Sequence, residues 1–284
     1  MRLGAWQQKT VLVSAVVLAL AATGCDKLKS RDQLNRGVQA YKNAKYSEAV
    51  DHFKQAIQLD PTNPYARVYL ATAYMNQYIP GADSPENTRN LQAARTEFLQ
   101  VLKDNPKDRL AVQSLASLAL NEAGGITDPD LRAKKFDEAR DWNEKVLAID
   151  PANKEAYYTL GVIAWTRWKK DYDAERAKLG MKMEDPGPFK DKKARAELSE
   201  KDGALVDEGI KNLQKALDID PQYDEAMAYM NLFIREKADL DDNADDYKKD
   251  IQTADGWMNK AMDTRKIKAA KAAPGAGGIT PDAK

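Results

Sequence analysis

Covalent, acid–base or metal chemistry needs particular side chains at particular spacings, and three places in this chain offer them: Cys25, His52, and the run Asp239, Asp241, Asn243, Asp245 and Asp250. Cys25 and His52 are the only residues of their types among 284. One thiol excludes an internal disulfide framework and a Cys-rich zinc site, and one imidazole excludes a centre built on two or three histidines. His52 is the only conventional general base. It stands beside Phe53 on the helix face expected to point outward, which reads as a solvated histidine. The acidic run has the ligand spacing of a calcium loop, but Ala244 stands where the sharp turn needs glycine and Asp246 where an apolar residue would pin the loop. The expected structure is an acidic, solvated loop leading into a capped helix, with calcium binding as the alternative. No G-x-S-x-G, H-E-x-x-H, Walker A or G-x-G-x-x-G occurs, so no catalytic residue, cofactor or small-molecule substrate is expected and the chain reads as non-enzymatic.

Cys25 gains meaning from what precedes it. Arg2 and Lys9 form a short basic region, and Val11 to Ala22 is a twelve-residue uncharged run with Ser14 as its only polar member. A helix crossing the bilayer core needs about 20 apolar residues, so this run reads as the hydrophobic part of a secretory signal, residues 1–24. Ala22, Thr23, Gly24 and Cys25 follow, and here the chain resembles a bacterial lipoprotein precursor, with Ala22 where leucine is usual. The resemblance implies cleavage before Cys25, a diacylglyceryl group on its sulfur, a lipid-anchored linker over 25–29, and a location on the periplasmic face of the inner or outer membrane. Several acyl chains at about 0.8 kcal/mol per buried CH₂ make such an anchor effectively permanent. Ala19 and Ala21 also offer an ordinary A-x-A cleavage pattern, which would leave Cys25 an incidental thiol.

Composition narrows the partners. The full chain balances 44 basic against 44 acidic residues, and removing residues 1–24 leaves 42 against 44. Such a surface has no field to hold a polyanion, so nucleic acid is not an expected partner. With 43% apolar residues and 22 aromatics in all, there is material for a core.

The positions of those apolar residues repeat. Gly37, Tyr41, Tyr46, Ala49, Phe53, Ala56 and Asp60-Pro61 resemble a tetratricopeptide repeat (TPR), in which small residues stand where two helices approach, large ones fill the adjoining hole, and a proline ends the second helix. The second-helix pattern returns as Ala94, Phe98, Val101 and Pro106, as Ala139, Asn143, Val146 and Pro151, and as Gly209, Leu213, Ala216 and Pro221. A fifth unit shows Ala254, Met258 and Ala261, with Lys266 where proline is expected. The resemblance covers residues 30–265. It implies an all-α, TPR-like α-solenoid of about five helix pairs, in units of about 30–63, 64–108, 109–153, 154–223 and 224–265. Residues 266–284, rich in Ala, Gly, Pro and Lys, read as a disordered tail.

The turns inside the repeats are lengthened. Relative to a 34-residue repeat, units two, three and five hold eleven extra residues and unit four thirty-six. Ser84-Pro85-Glu86 and Asp128-Pro129-Asp130 each offer a cap, a first-turn proline and an early acid, which predicts that the second helices start near Pro85 and Pro129. In unit four the first helix is predicted to run from Lys154 to Leu179, with Gly180 as its stop. Asp185-Pro186-Gly187-Pro188 breaks the chain, and Asp191 caps a second helix reaching Leu217. The expectation is a protruding helical hairpin arm over 167–203, reaching about 25 Å beyond its neighbours.

In TPR proteins the first helices line the ligand face. By this resemblance the groove residues are Leu34, Val38 and Tyr41; Tyr65, Val68, Thr72 and Met75; Gln113, Ser117, Leu120 and Asn121; and Tyr158, Val162 and Trp165. They are apolar and aromatic, without the Lys, Asn and Arg set that clamps a peptide carboxylate, which points to an apolar or helical protein segment as partner. Alternatively, these residues pack against the lengthened turns. Trp142 and Trp257 read as half-buried. The functional expectation is a membrane-anchored TPR lipoprotein acting as an interaction scaffold or assembly adaptor in the cell envelope. Two alternatives stand beside it: an enzyme or accessory subunit working on cell-wall or polysaccharide material through paired carboxylates, and a membrane-contacting arm whose tip carries Met181, Met183 and Phe189.

Overall fold

A computed structural model describes residues 25–182 and 184–272, and every described element is helical. Helix α1 covers 25–42. It is followed by α2 (Tyr46–Leu59), α3 (Ala66–Met75), α4 (Pro85–Asp104), α5 (Arg109–Gly125), α6 (Pro129–Ile149), α7 (Lys154–Lys178), α8 (Lys192–Ile219), α9 (Asp224–Ala238) and α10 (Ala244–Ala272). Among the described residues this makes five consecutive helix pairs, the all-α arrangement expected from the repeats. Contacts divide the chain into two units, Met1–Trp142 and Asn143–Lys284.

The caps follow from residue chemistry. The Ser84 hydroxyl accepts from Asn87 N at 3.1 Å, the Asp108 carboxylate from Ala111 N at 3.0 Å, and the Asp128 carboxylate from Leu131 N at 2.7 Å. Asn153 and Asp191 do the same for α7 and α8. Each satisfies an amide that a first helical turn leaves without an internal partner. α4 and α6 begin at Pro85 and Pro129, where the sequence places them. Four of the five pairs end just before a proline, at Leu59, Asp104, Ile149 and Ile219. In the fifth no proline intervenes, and α10 continues to Ala272, so that residues 266–272 are helix where composition predicts tail. Residues 273–284, like the signal segment 1–24, lie outside the described residues.

Within the first unit the repeat register explains the packing. Ala49, Phe53 and Ala56 are sealed from water, as are Ala94 and Phe98 one pair later. Gly37 has to be glycine: a Cβ there would lie 2.5 Å from the Phe53 ring. The lengthened turn before α4 is organised by one buried side chain. Asn87 accepts from Ile79 N at 2.7 Å and donates to Ile79 O and Ala82 O at 2.8 and 2.9 Å.

The second unit has one large core that gathers Trp168, Leu213, Phe233 and other side chains of α7, α8, α9 and α10 around Phe189 of the α7–α8 loop. The expected α7–α8 hairpin forms, with Gly180 at φ 68° closing α7. Its distal end does not stand free as a protruding arm. Trp168 and Phe189 are fully buried and Tyr172 nearly so, because the turn between α9 and α10 is seated against them. Phe189 N donates to Asp239 O at 2.9 Å, and Gly187 N donates to the Tyr247 hydroxyl at 3.1 Å. The length of the insertion predicts reach, but the aromatic stripe Trp165, Trp168 and Tyr172 along it needs cover, and the α9–α10 turn supplies that cover.

Candidate functional site

Four half-buried aromatic rings run in contact across α7, α9 and the capping position before α9. Tyr223 lies 5.0 Å from Tyr158, Tyr158 lies 5.7 Å from Tyr229, and Tyr229 lies 5.3 Å from Trp165, centroid to centroid. Burial lifts the Tyr158 phenol to about 12 and raises those of Tyr223 and Tyr229, so all three remain neutral donors at physiological pH. At the Tyr223 end Asp224 is clamped by Arg265 at 2.7 Å and by Lys268. Burial pushes that carboxyl up, but the two cations outweigh it and hold it down at about 2.

At the other end Trp165 opens onto a cleft of about 520 Å³, also lined by Lys169, Asp173, Leu232, Arg235 and Glu236. Glu236 sits at its floor. Its Oε2 accepts from the indole nitrogens of Trp165 at 3.1 Å and Trp168 at 2.8 Å, and Lys169 approaches Oε1 at 3.9 Å. Burial dominates over the lowering by Lys169 and the Trp168 hydrogen bond, and Asp173 adds to the rise, so its pKa stands at about 7. The charged groups around the cleft are otherwise paired: Lys169 bonds Asp173, Arg235 bonds Asp255, and Arg176 bonds Asp239. The cleft therefore presents an aromatic and aliphatic wall, with little net charge to attract an ion.

Of the groove residues read from the sequence, Tyr158, Val162 and Trp165 lie on this face of α7, all half-buried. Those of the first unit make no comparable run of rings. Val68 is buried in the core and does not line a groove, Thr72 spends its hydroxyl on Val68 O of its own helix, and Leu34, Val38 and Met75 pack against the cores. Tyr41 accepts from the Asn76 amide at 2.8 Å, and Tyr65 is exposed and stacked on Tyr69. Gln113 and Leu120 are half-buried, while Ser117 and Asn121 are exposed.

Tyr223, Tyr229 and Glu236 are not among the residues that the repeat pattern assigns to the groove. Carrying the groove register from the fourth unit to the fifth gives Ala228, Leu232 and Arg235, and two of those three do line the cleft. Tyr229 lies one position out of that register, so it becomes visible only in the folded packing.

Other candidates serve differently from what the sequence predicts. His52 is half-buried, its Nδ1 2.7 Å from Gln33 Oε1 on α1, rather than solvated. Met181 is half-buried, Met183 lies outside the described residues, and Phe189 is core, so these residues do not form an exposed apolar tip. Asp239 points inward to Tyr172 at 2.7 Å and Arg176 at 2.8 Å, while Asn243 caps α10 by accepting from Asp245 N and Asp246 N. Burial first, then neighbouring Asp250 and Asp246, pushes the Asp241 carboxyl up to about 6, but among the described residues no three acids, histidines or cysteines gather as a metal site. The paired carboxylates of the enzymatic alternative occur as Asp171 and Asp202. Burial first and Asp171 second raise the Asp202 pKa, but neither residue lines the cleft beside Trp165 or the one beside Phe189. Cys25 is exposed at the first described position. Among the described residues no helix is long and apolar enough to cross a membrane.

Residues 37–77 match the TPR repeat. Among solved structures, the chain is similar to a double mutant of MamA from strain RS-1, with 18% identity, 85% of this chain and 97% of that one covered, and a TM-score of 0.52. It is similar as well to MamA from residue 41 onward of Desulfovibrio magneticus RS-1, with 19% identity, 84% and 97% covered, and a TM-score of 0.51. At these identities the likeness concerns the fold, which is that of TPR-like helix pairs. No curated protein matches the chain.

Proposed function

We propose that this chain is a non-enzymatic, lipid-anchored adaptor of the bacterial cell envelope that holds a partner protein on the Tyr223–Tyr158–Tyr229–Trp165 ladder and the adjoining cleft. The ladder carries the reading. Half-buried aromatic rings in mutual contact, beside a cleft whose lysine and arginines are already paired with carboxylates, suit an apolar protein segment. Anchors of this kind contribute about 2 kcal/mol or more each when fully desolvated by a partner. TPR folds commonly serve recognition, and the anchor rests on Cys25 following an apolar run that ends in small residues. The balanced charge supports a protein partner over nucleic acid.

A photo-crosslinking residue at Trp165 in cells tests the site. The expected result is one reproducible crosslinked protein that disappears when Tyr158 and Tyr229 are both replaced by alanine. The same product from a crosslinker at exposed Lys211 on α8 would overturn it. The anchor is tested by metabolic labelling with an alkynyl fatty acid, expected on the parent chain and absent from Cys25→Ser.

A further inference from the structure

Glu236 uses its two oxygens unequally. Oε2 accepts from both indoles, Trp165 at 3.1 Å and Trp168 at 2.8 Å, whereas Oε1 takes no hydrogen bond among the described residues. Lys169 approaches Oε1 only to 3.9 Å, its ammonium being spent on Asp173. Oε1 is not among the sealed, unpartnered polar atoms, and Glu236 lines the cleft beside Trp165, so this oxygen opens into the cleft.

The other charges around Glu236 are committed. On α7 Lys169 holds Asp173, and Arg176 holds Asp239 of the turn after α9. On α9 itself Arg235 reaches Asp255 of α10 and Lys237 reaches Asp207 of α8. Glu236 is 7% exposed, and burial without a close cation penalises the charged form. The carboxyl accordingly keeps its proton up to about 7. With two N–H groups aimed at Oε2, the proton of the neutral acid belongs on Oε1, the oxygen that faces the cleft.

We propose that Glu236 selects the occupant of this cleft by donating the O–H of its neutral acid, at Oε1, to an unpaired main-chain carbonyl of an extended apolar segment, so that capture takes up one proton from solvent. This rests on the ladder and cleft being the partner site. A neutral acceptor fits where ions do not. A partner's ammonium at Oε1 would crowd the Lys169 ammonium, and a partner's carboxylate would meet Asp173 beside cations that are already paired. An apolar segment strips water from the cleft, and desolvation favours the same neutral acid that a carbonyl needs as its donor. Carbonyls inside a helix are already bonded, whereas those of an extended stretch are free to accept.

Calorimetric titration of the full chain carrying Cys25→Ser, in two buffers of different ionisation enthalpy, tests this with two blocked peptides. One is neutral, acetyl-Leu-Ala-Leu-N-methylamide, and one cationic, acetyl-Leu-Lys-Leu-N-methylamide. At pH 8 the neutral peptide should bring nearly one proton onto the chain and bind about tenfold more weakly than at pH 6, since a group titrating at about 7 is mostly protonated at the lower value and mostly ionised at the higher. Glu236→Gln, with a fixed N–H donor in place of the acid, should bind at pH 8 as the parent does at pH 6, without proton uptake. The proton count is read on the parent chain, so it decides even where the variant folds poorly. Equal affinity at the two pH values without proton uptake overturns the proposal and leaves the partner site standing. Preference for the cationic peptide overturns it too, because the cleft would then take a lysine through ionised Glu236. So does peptide binding that weakens as the chain is concentrated, which would put a second copy in the cleft. If neither peptide binds at either pH the proposal falls; a partner crosslink at Trp165 would still uphold the partner site, and its absence would remove both.

Discussion

The indole N–H of Trp168 on α7 donates to Oε2 of Glu236 on α9 at 2.8 Å, joining two first helices of the second unit through a carboxylate that water hardly reaches. Trp165 shares the same oxygen. The pair therefore ties the floor of the cleft to the last ring of the ladder.

Glu236 makes the second unit pH-sensitive. Its carboxyl holds a proton up to about 7 in the fold, against an ordinary value of 4.5. As pH rises from 4.5 to 7 the unfolded chain ionises first, so the folded state binds more protons and its stability falls through that window. Glu236→Gln keeps an acceptor for both indoles and removes the charge. The variant's stability relative to the parent is expected to rise between pH 5 and pH 8, on the order of 2–3 kcal/mol at the upper end. Thermal melts at the two values check it, and a difference independent of pH would sink it.

Arg176 is the second joint of the hairpin. It pairs with Asp239 in the core and donates to the carbonyls of Lys182 and Asp185. Arg176→Met strands a buried carboxylate and releases the loop, and a loss of about 3–5 kcal/mol is expected. Adding Asp239→Leu should restore much of it. Hydrogen exchange over 172–190 reports both, and an additive double variant would contradict this account.

Asn87 holds the long turn of the second repeat. Asn87→Ala leaves the amide and carbonyl of Ile79 without their side-chain partner, at a cost of about 1–3 kcal/mol. Faster proteolysis between residues 78 and 84, with α4 itself protected, is the expected signature.

Gly37 and Phe53 should be coupled. Gly37→Ala drives a methyl group toward the Phe53 ring, and overpacking of this kind costs about 1–3 kcal/mol. With Phe53→Leu in place the same alanine should cost less. A double-mutant cycle on denaturant midpoints measures the difference, and zero coupling energy would mean that the ring simply moves aside.

Much of the helix plan is legible in the sequence because caps and stops are local chemistry. Ser84-Pro85 and Asp128-Pro129 set helix starts by hydrogen bonds within three residues, and prolines after four of the second helices set their ends. What faces what is less so. The burial of Phe189 depends on the turn at Asp239, fifty residues away in sequence, and no periodicity within the hairpin announces that partner. Lys266 marks the missing stop, and the helical course of α10 to Ala272 is its direct result. The site is half visible: Tyr158 and Trp165 follow from the repeat register, whereas Tyr229 lies one residue off it and Glu236 gains its role only from the two indoles above it.

The hairpin loop has one more consequence, for covalent continuity. Three sets of attachments join α7 and its following loop to α9 and the turn beyond it: Trp165 and Trp168 to Glu236, Tyr172 and Arg176 to Asp239, and the Phe189 amide to the Asp239 carbonyl. The peptide bond after exposed Lys190 is not among them. A protease that cuts there should yield two bands on a denaturing gel but a single eluting species at neutral pH, a split protein that holds its fold through side chains and one backbone hydrogen bond.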